Sequence, residues 1–348
     1  MGPAAALRRI AYLLEREGAE TYKVRAFRQA AIAVDELGPG RLELLASTGR
    51  LKDIPSIGDT TARVIAEALA GSTPSYLAQL EAVEPTPLSP DALRLRGKLR
   101  GDCHSHSEWS DGGSSIREMA EAAVGLGHEY LAITDHSPRL SVARGLTAER
   151  LRGQLEEVVA LNEDLAPFRI LTGIEVDILE DGSLDQDEEL LASLDVVVAS
   201  VHSKLRMEAP QMTRRMVIAV QNPHSDILGH CTGRLVTGKG RQPSSFDAEV
   251  VFGACARTGT ALEVNSRPER RDPPEDLLKL AIDLGCWVSI DTDAHAPGQL
   301  EWLGYGCEQA VQVGVQAGSV VNSWPADRLL EWTANHDTAL QPRRGMTP

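Results

Sequence analysis

No stretch of the 348-residue sequence approaches the roughly 18 consecutive apolar residues that a membrane span requires. The opening MGPAAALRRIAYLLEREG turns charged at once and has no cleavage region of a secretory signal, so the sequence reads as cytoplasmic, without a membrane partner. Paired cysteines are missing too. The five present (Cys103, Cys231, Cys255, Cys286, Cys307) are odd in number and never form C-x-x-C, which excludes a disulfide framework or a zinc knuckle and leaves them as small buried hydrophobes. Positive charge is scarce: a formal net charge of −15 excludes a uniformly basic, nucleic-acid-coating surface. Residues 1–80 carry ten Lys/Arg against nine Asp/Glu, and residues 81–348 carry 25 against 41. The acidity therefore belongs almost wholly to the larger part.

Three prolines in six residues (Pro85, Pro87, Pro90) interrupt any apolar period in EAVEPTPLSPDALRLRGK and predict a linker over 81–98. Before it, Leu7, Ile10, Leu13 and Leu14 share one helical face and Val24, Phe27, Ala31 and Val34 another, predicting a small all-α domain over 1–80. After it, over 99–336, seven short apolar runs alternate with amphipathic stretches: LRGDCH, YLAITDH, RILTGIE, DVVVASVH, DILGH, TALEVN and WVSIDTDAH. Strands alternating with helices form a parallel sheet, open or closed. The last residues, 337–348, have no apolar face and predict a flexible tail.

Each run ends on a polar group able to bind a metal or a substrate: His104, His136, Glu175, His202, His230, Asn265, then Asp293 and His295. The C-terminal strand ends of a (β/α) barrel converge on one face, which favours closure over an open sheet. In H-x-H, His104 and His106 leave one strand face about 7 Å apart at Cα, close enough for both imidazoles to reach one cation. Asp293 and His295 repeat this as D-x-H. The ring is too rich for a single ion. Imidazole with carboxylate suits Zn²⁺, Mn²⁺ or Fe²⁺. Close metals activate a water and neutralise charge at phosphorus, which points to phosphate ester hydrolysis; amide or amidine hydrolysis, as in barrel amidohydrolases, uses similar spacing. Arg267, Arg270 and Arg271 after the sixth run, with Lys204 and Arg206 after the fourth, favour phosphate.

With H-x-H, T-D-H, G-I-E, S-V-H, L-G-H and T-D-A-H in this order, residues 99 to about 336 resemble the PHP (polymerase and histidinol phosphatase) superfamily. The resemblance implies a distorted (β/α)7 barrel with three divalent metal ions, Mn²⁺ or Zn²⁺ with Fe²⁺ as an alternative. It implies that His104, His106, Glu175 and Asp293 hold one ion, Asp111, His136 and His295 a second, and Glu175, His202 and His230 a third. Glu175 would then join two ions and position a bridging hydroxide. NPHSDILGHCTGRL, LEVNSRPERRD and SIDTDAHAPGQLEWLGYG look most like the PHP domain of bacterial X-family DNA polymerases, and by that likeness Asn265 and Arg270 would contact phosphate.

The amino-terminal segments AETYKVRAFRQAA and LKDIPSIGDTTARVIAEAL are similar to the helical 8-kDa domain of the same polymerases, with a helix–hairpin–helix at Pro55, Ser56, Ile57 and Gly58. DNA is the implied partner, through Tyr22, Lys23, Arg25, Arg28 and residues Pro55 to Asp59, since a helix start binds phosphate without a basic patch. Ser56 replaces the hairpin's usual first glycine. Val64 stands where lyase-active relatives carry a Schiff-base lysine, so lyase chemistry through that position is not expected. No polymerase palm or thumb fits between the domains. The sequence thus supports a DNA-processing nuclease acting at 3′ ends or abasic sites, against a phosphomonoesterase for a small metabolite and, thirdly, a non-catalytic DNA-binding subunit.

Overall fold

The computed structural model describes residues 1–335; the expected tail at 337–348, and residue 336, lie outside them. The described chain divides into two units, one built mainly from Met1–Pro87 and the other from Leu88 onward. In the first, α1 (Pro3–Arg16), α2 (Thr21–Leu37), α3 (Pro39–Ser47), α4 (Asp59–Leu69) and α5 (Ser75–Glu81) surround one core. Leu7, Ile10, Leu13 and Leu14 of α1 meet Val24, Phe27, Ala31 and Val34 of α2 there, so both apolar stripes face inward as their spacing requires.

The expected linker over 81–98 is too long. Ser89 caps α6 (Pro90–Arg96) by accepting from the Ala92 amide, and Ala92 and Leu95 are buried in the second unit's core. Pro90 opens that helix, a position where a missing N–H costs nothing, so part of the proline cluster is a helix start.

The second unit is a seven-stranded parallel sheet in the order β1 to β7: β1 (Gly101–Asp102), β2 (Tyr130–Ile133), β3 (Arg169–Asp177), β4 (Val196–Ser200), β5 (Ile227–Leu228), β6 (Ala261–Asn265) and β7 (Val288–Asp291). Helices α7 (Ile116–Gly125), α8 (Ala148–Leu165), α9 (Glu188–Leu191), α10 (Ala209–Val220), α11 (Ala248–Thr258) and α12 (Glu275–Asp283) follow the first six strands, with α13 (Leu303–Gln312) and α14 (Ala326–Asn335) after β7. β3 is the longest strand and changes partner midway. Arg169–Thr172 pair with β2 and Gly173–Asp177 with β4. A Cβ on Gly173 would lie 2.7 Å from the Val196 carbonyl and 3.0 Å from that of Ile133, so only glycine lets both neighbours approach at the switch.

The sheet closes nearly into a barrel between β7 and β1. One parallel bridge joins Ser105 to Ala294, and the His106 amide donates to the Ala294 carbonyl at 2.8 Å. Side chains do the rest. Asp291 accepts from the Cys103 amide at 2.8 Å, Asp102 accepts from the Thr292 amide and hydroxyl, and the Asn322 amide spans Gly101 and Ile290. Ile174 and Val176 of β3 pack outward with Val197 and Ala199 against Met212 and Met216 of α10. Alternation turns Glu175 to the opposite face. Val196, Ile227 and Ala261, near the strand starts, share a cluster with Trp287, Trp324 and Trp332, leaving the strand ends for polar groups.

Candidate metal centre

The ordered strands are shorter than the apolar runs. His104, His106, His136, His202, His230, Asp293 and His295 therefore lie on the turns just beyond their strands, and Glu175 lies within β3. All nine candidate ligands nevertheless meet. Glu175 Oε1 is 2.8 Å from His230 Nε2 and 3.1 Å from His202 Nε2, and its Oε2 is 3.5 Å from His104 Nε2 and 3.6 Å from His106 Nε2. Asp293 Oδ1 lies 3.3 Å from His106 Nε2, and Asp111 Oδ1 lies 3.4 Å from both His136 and His295. The rings of His106 and His295 are 4.1 Å apart.

Asp111 is placed by its turn: the Gly112 amide donates to the Ser107 carbonyl, where a Cβ on Gly112 would collide with that same backbone. Asp135 in turn holds Ser107 and Ser110 and accepts from Gln154 at 2.6 Å.

Three overlapping sets have ligand atoms mutually within 4.8 Å: His106, Asp111, His136 and His295; His104, His106 and Glu175; and His136, Glu175 and His202. The third brings in His136 where the resemblance implied His230, which touches Glu175 separately. His104 Nε2, both ring nitrogens of His106 and Glu175 Oε2 are buried without a hydrogen-bond partner among the described residues. Buried lone pairs left unmatched cost folding free energy, and cations between them would satisfy these donors. The residues fit divalent metals.

The charges interlock. Burial works against ionising Glu175, yet His202, His104 and His136 hold its carboxyl well below the usual range. Burial likewise opposes Asp293, and Arg267, His106, His104 and Arg270 outweigh it. Burial lowers His106 far below an ordinary imidazole, assisted by repulsion from His295 and His136. His202 is driven the other way, to about 9: burial opposes its charge but Glu175 and Asp177 outweigh that.

Several supporting residues escaped sequence reasoning. Glu263 Oε1 meets His104 Nδ1 at 2.6 Å while its other oxygen accepts from the His230 amide, and Asp177 lies 3.4 Å from His202 Nδ1. Carboxylates behind ligating histidines fix ring orientation and raise basicity. The available signal was a lone Glu in the apolar strand ALEVN, two residues before Asn265 and so on its face. Asn265 does not stand free for phosphate as expected. It is wholly buried, and its amide donates to Glu263 at 3.2 Å and Asp293 at 3.3 Å, a positioning role. Arg270 Nε is 3.2 Å from Asp293, and Arg267 Nη1 is 3.4 Å from His295 Nδ1, so two guanidiniums border the cluster.

In the helical unit, Tyr22, Lys23 and Arg25 are exposed, but Arg28 is ion-paired to buried Glu15 at 2.6 Å. Arg28 is therefore part of that unit's packing, contrary to its expected DNA contact. Ser56 adopts φ +68°, the left-handed conformation glycine would take at no cost. Pro55 is exposed, Ile57 is buried, and Gly58 caps α4 through Thr61, with Asp59 ion-paired to Lys52 at 2.7 Å. Val64 is fully buried, so the lyase position holds a core side chain.

A PHP domain model matches residues 102–267, which include seven of the nine candidate ligands, and a helix-hairpin-helix domain model matches residues 3–73. The DNA polymerase/3'-5' exonuclease PolX of Bacillus subtilis is 43% identical over 65% of this chain, which spans 40% of that relative's length. A probable phosphatase of Thermoanaerobacter sp. is 31% identical over 57% of this chain and 80% of its own, and one of Syntrophotalea carbinolica is 28% identical over 65% and 92%. A crystal structure of histidinol phosphate phosphatase from Lactococcus lactis, complexed with zinc, L-histidinol and phosphate, superposes with TM-score 0.45 at 18% identity, covering 63% of this chain and 95% of that one. No helix among the described residues is long and apolar enough to cross a membrane. With a PHP model over most of its barrel strands and a 31%-identical relative covered across four fifths of its length, the chain belongs to the PHP family of metal-dependent phosphoesterases and carries a helix–hairpin–helix domain ahead of the barrel.

Proposed function

We propose that this phosphoesterase is a DNA-processing nuclease, hydrolysing phosphodiesters near a 3′ end or an abasic site. The observation that carries the reading is the pairing of a helix–hairpin–helix domain with a metal-competent cluster on one chain. A tethered DNA-contacting module raises the local concentration of DNA for the hydrolase. Only residues 74–101 separate the two family matches, too few for a nucleotidyl-transfer domain, so polymerisation is not part of the reading.

Divalent ions held by His104, His106, Asp111, His136, Glu175, His202, His230, Asp293 and His295 would acidify a water and neutralise charge on the phosphate oxygens. The chain's own groups orient the rest. Glu175 gathers five imidazoles, Glu263 and Asn265 hold His104 and Asp293 in place, and Arg267 and Arg270 bring positive charge to the edge where a phosphoryl group would sit. Tyr22, Lys23, Arg25 and the hairpin at 55–59 would hold the strand.

A second reading, a phosphomonoesterase for a small metabolite, is favoured by the probable phosphatases, whose matches lie within a length that one barrel accounts for. Manganese-dependent turnover of a labelled DNA oligonucleotide, compared with histidinol phosphate and an aryl phosphate, separates the two. DNA cleavage abolished in a His104→Ala, His106→Ala double variant is the expected result; cleavage of the small esters alone would leave the nuclease reading without support.

A further inference from the structure

A recess of about 760 Å³ opens on the loops that follow β4 and β5, a volume in the range of small-ligand sites. Its walls combine three cations, Lys204, Arg206 and Arg241, with the apolar side chains of Leu205, Met207 and Pro243; Glu208 is the one carboxylate. Both loops start at the metal cluster. Lys204 lies two residues beyond His202, Arg241 Nε donates to the carbonyl of Gly233 at 2.5 Å, three residues beyond His230, and the two imidazole rings are 5.3 Å apart. Ser244 ties the loops together, its hydroxyl donating to the Leu205 carbonyl at 2.8 Å and its amide to that of Thr232 at 2.8 Å.

The charge here runs against that of the whole chain. Residues 201–274 hold eleven Lys/Arg against seven Asp/Glu in a chain of net −15. Two of the cations are poorly matched. Lys204 reaches only Glu180, at 4.0 Å with both side chains mostly exposed, and Arg206 has no ion pair among the described residues. An apolar floor edged by cations suits a ligand with a flat or sugar-like body and an anionic backbone, and a small phosphate ester held at the metal cluster has nothing to place there.

We infer that this recess binds the nucleotide next to the scissile phosphate, its sugar and base on Leu205, Met207 and Pro243 and its phosphate on Lys204 and Arg206, which makes an oligonucleotide the substrate class. The inference rests on the nuclease reading, and its test separates the two. The full-length manganese-loaded protein and a Lys204→Glu, Arg206→Glu variant are compared on an oligonucleotide and on an aryl phosphate. The variant's kcat/KM for the oligonucleotide should fall about tenfold further than for the aryl ester, through KM, and the gap should narrow as salt rises. Equal losses on both substrates, or none, overturn the subsite. If the wild type hydrolyses the aryl ester and no DNA, the nuclease reading fails separately. The recess is then judged by binding of a thymidine dinucleotide: weaker binding by the variant sustains it, and equal binding removes it.

Discussion

The ring of His104 is held from behind by Glu263, and that pair sets what the cluster can do before any ligand arrives. A Glu263→Gln substitution keeps the volume and removes the charge that fixes the Nδ1 proton. Metal affinity should fall by roughly 10- to 100-fold, read by competition with a chelating dye, while an unchanged affinity would reduce Glu263 to packing. His128 gives a pH signature away from the site. Its imidazole is pushed down to about 3, first by burial and then by Arg96, whose guanidinium sits 2.9 Å from Nε2. Above its unfolded value near 6.5 the ring is neutral in both states and its contribution to stability is complete. As pH falls from there toward 3, the unfolded chain takes up a proton that the folded chain refuses, and stability drains away by at most about 1.4 kcal/mol per pH unit. Thermal melts between pH 7 and 5 should therefore fall less steeply for His128→Gln than for the wild type.

At the scale of elements, the closure from β7 to β1 depends on a side chain more than on a ladder. Asn322 donates to the carbonyls of Gly101 and Ile290 and accepts from the Ile290 amide at 3.1 Å, all fully buried. Asn322→Leu strands three buried backbone groups at about 1–3 kcal/mol each, so the denaturation midpoint should drop by the equivalent of at least about 3 kcal/mol. A drop below about 1 kcal/mol would mean that water or the β7 ladder takes over. No local pattern announces this residue, which acts on Gly101 across 221 positions. Glu263 does carry a local sign, a lone acid in the apolar run ALEVN, but nothing there names His104, 159 positions away, as its partner. The candidate ligands other than Asp111 could be picked out because each is written at the end of its own apolar run, whereas Asp111 sits in a turn and was singled out only by the family resemblance. Long-range pairings carry no such local mark.

At the scale of the whole chain, the alternation of apolar runs with amphipathic stretches was enough to read seven parallel strands, while the prolines suggested a linker between two bodies. The boundary itself was misplaced because Pro90 starts a helix. The two cores also differ in a way that can be measured. All five tryptophans (Trp109, Trp287, Trp302, Trp324, Trp332) follow residue 87, so tryptophan fluorescence reports the barrel unit alone. If the nine ligands hold ions only when folded, Mn²⁺ at a hundredfold excess over its dissociation constant adds about 2.7 kcal/mol per independent site. For a unit of this size that raises the fluorescence-detected midpoint by roughly 5–10 °C per site. The same addition should leave the His104→Ala, His106→Ala variant with a much smaller rise, because Glu175 and Asp293 would keep their charge and lose two imidazoles each now contacts. An equal rise in both proteins would place the stabilising ion elsewhere, and no rise in the wild type would mean that the buried lone pairs of His106 and Glu175 are met without a metal.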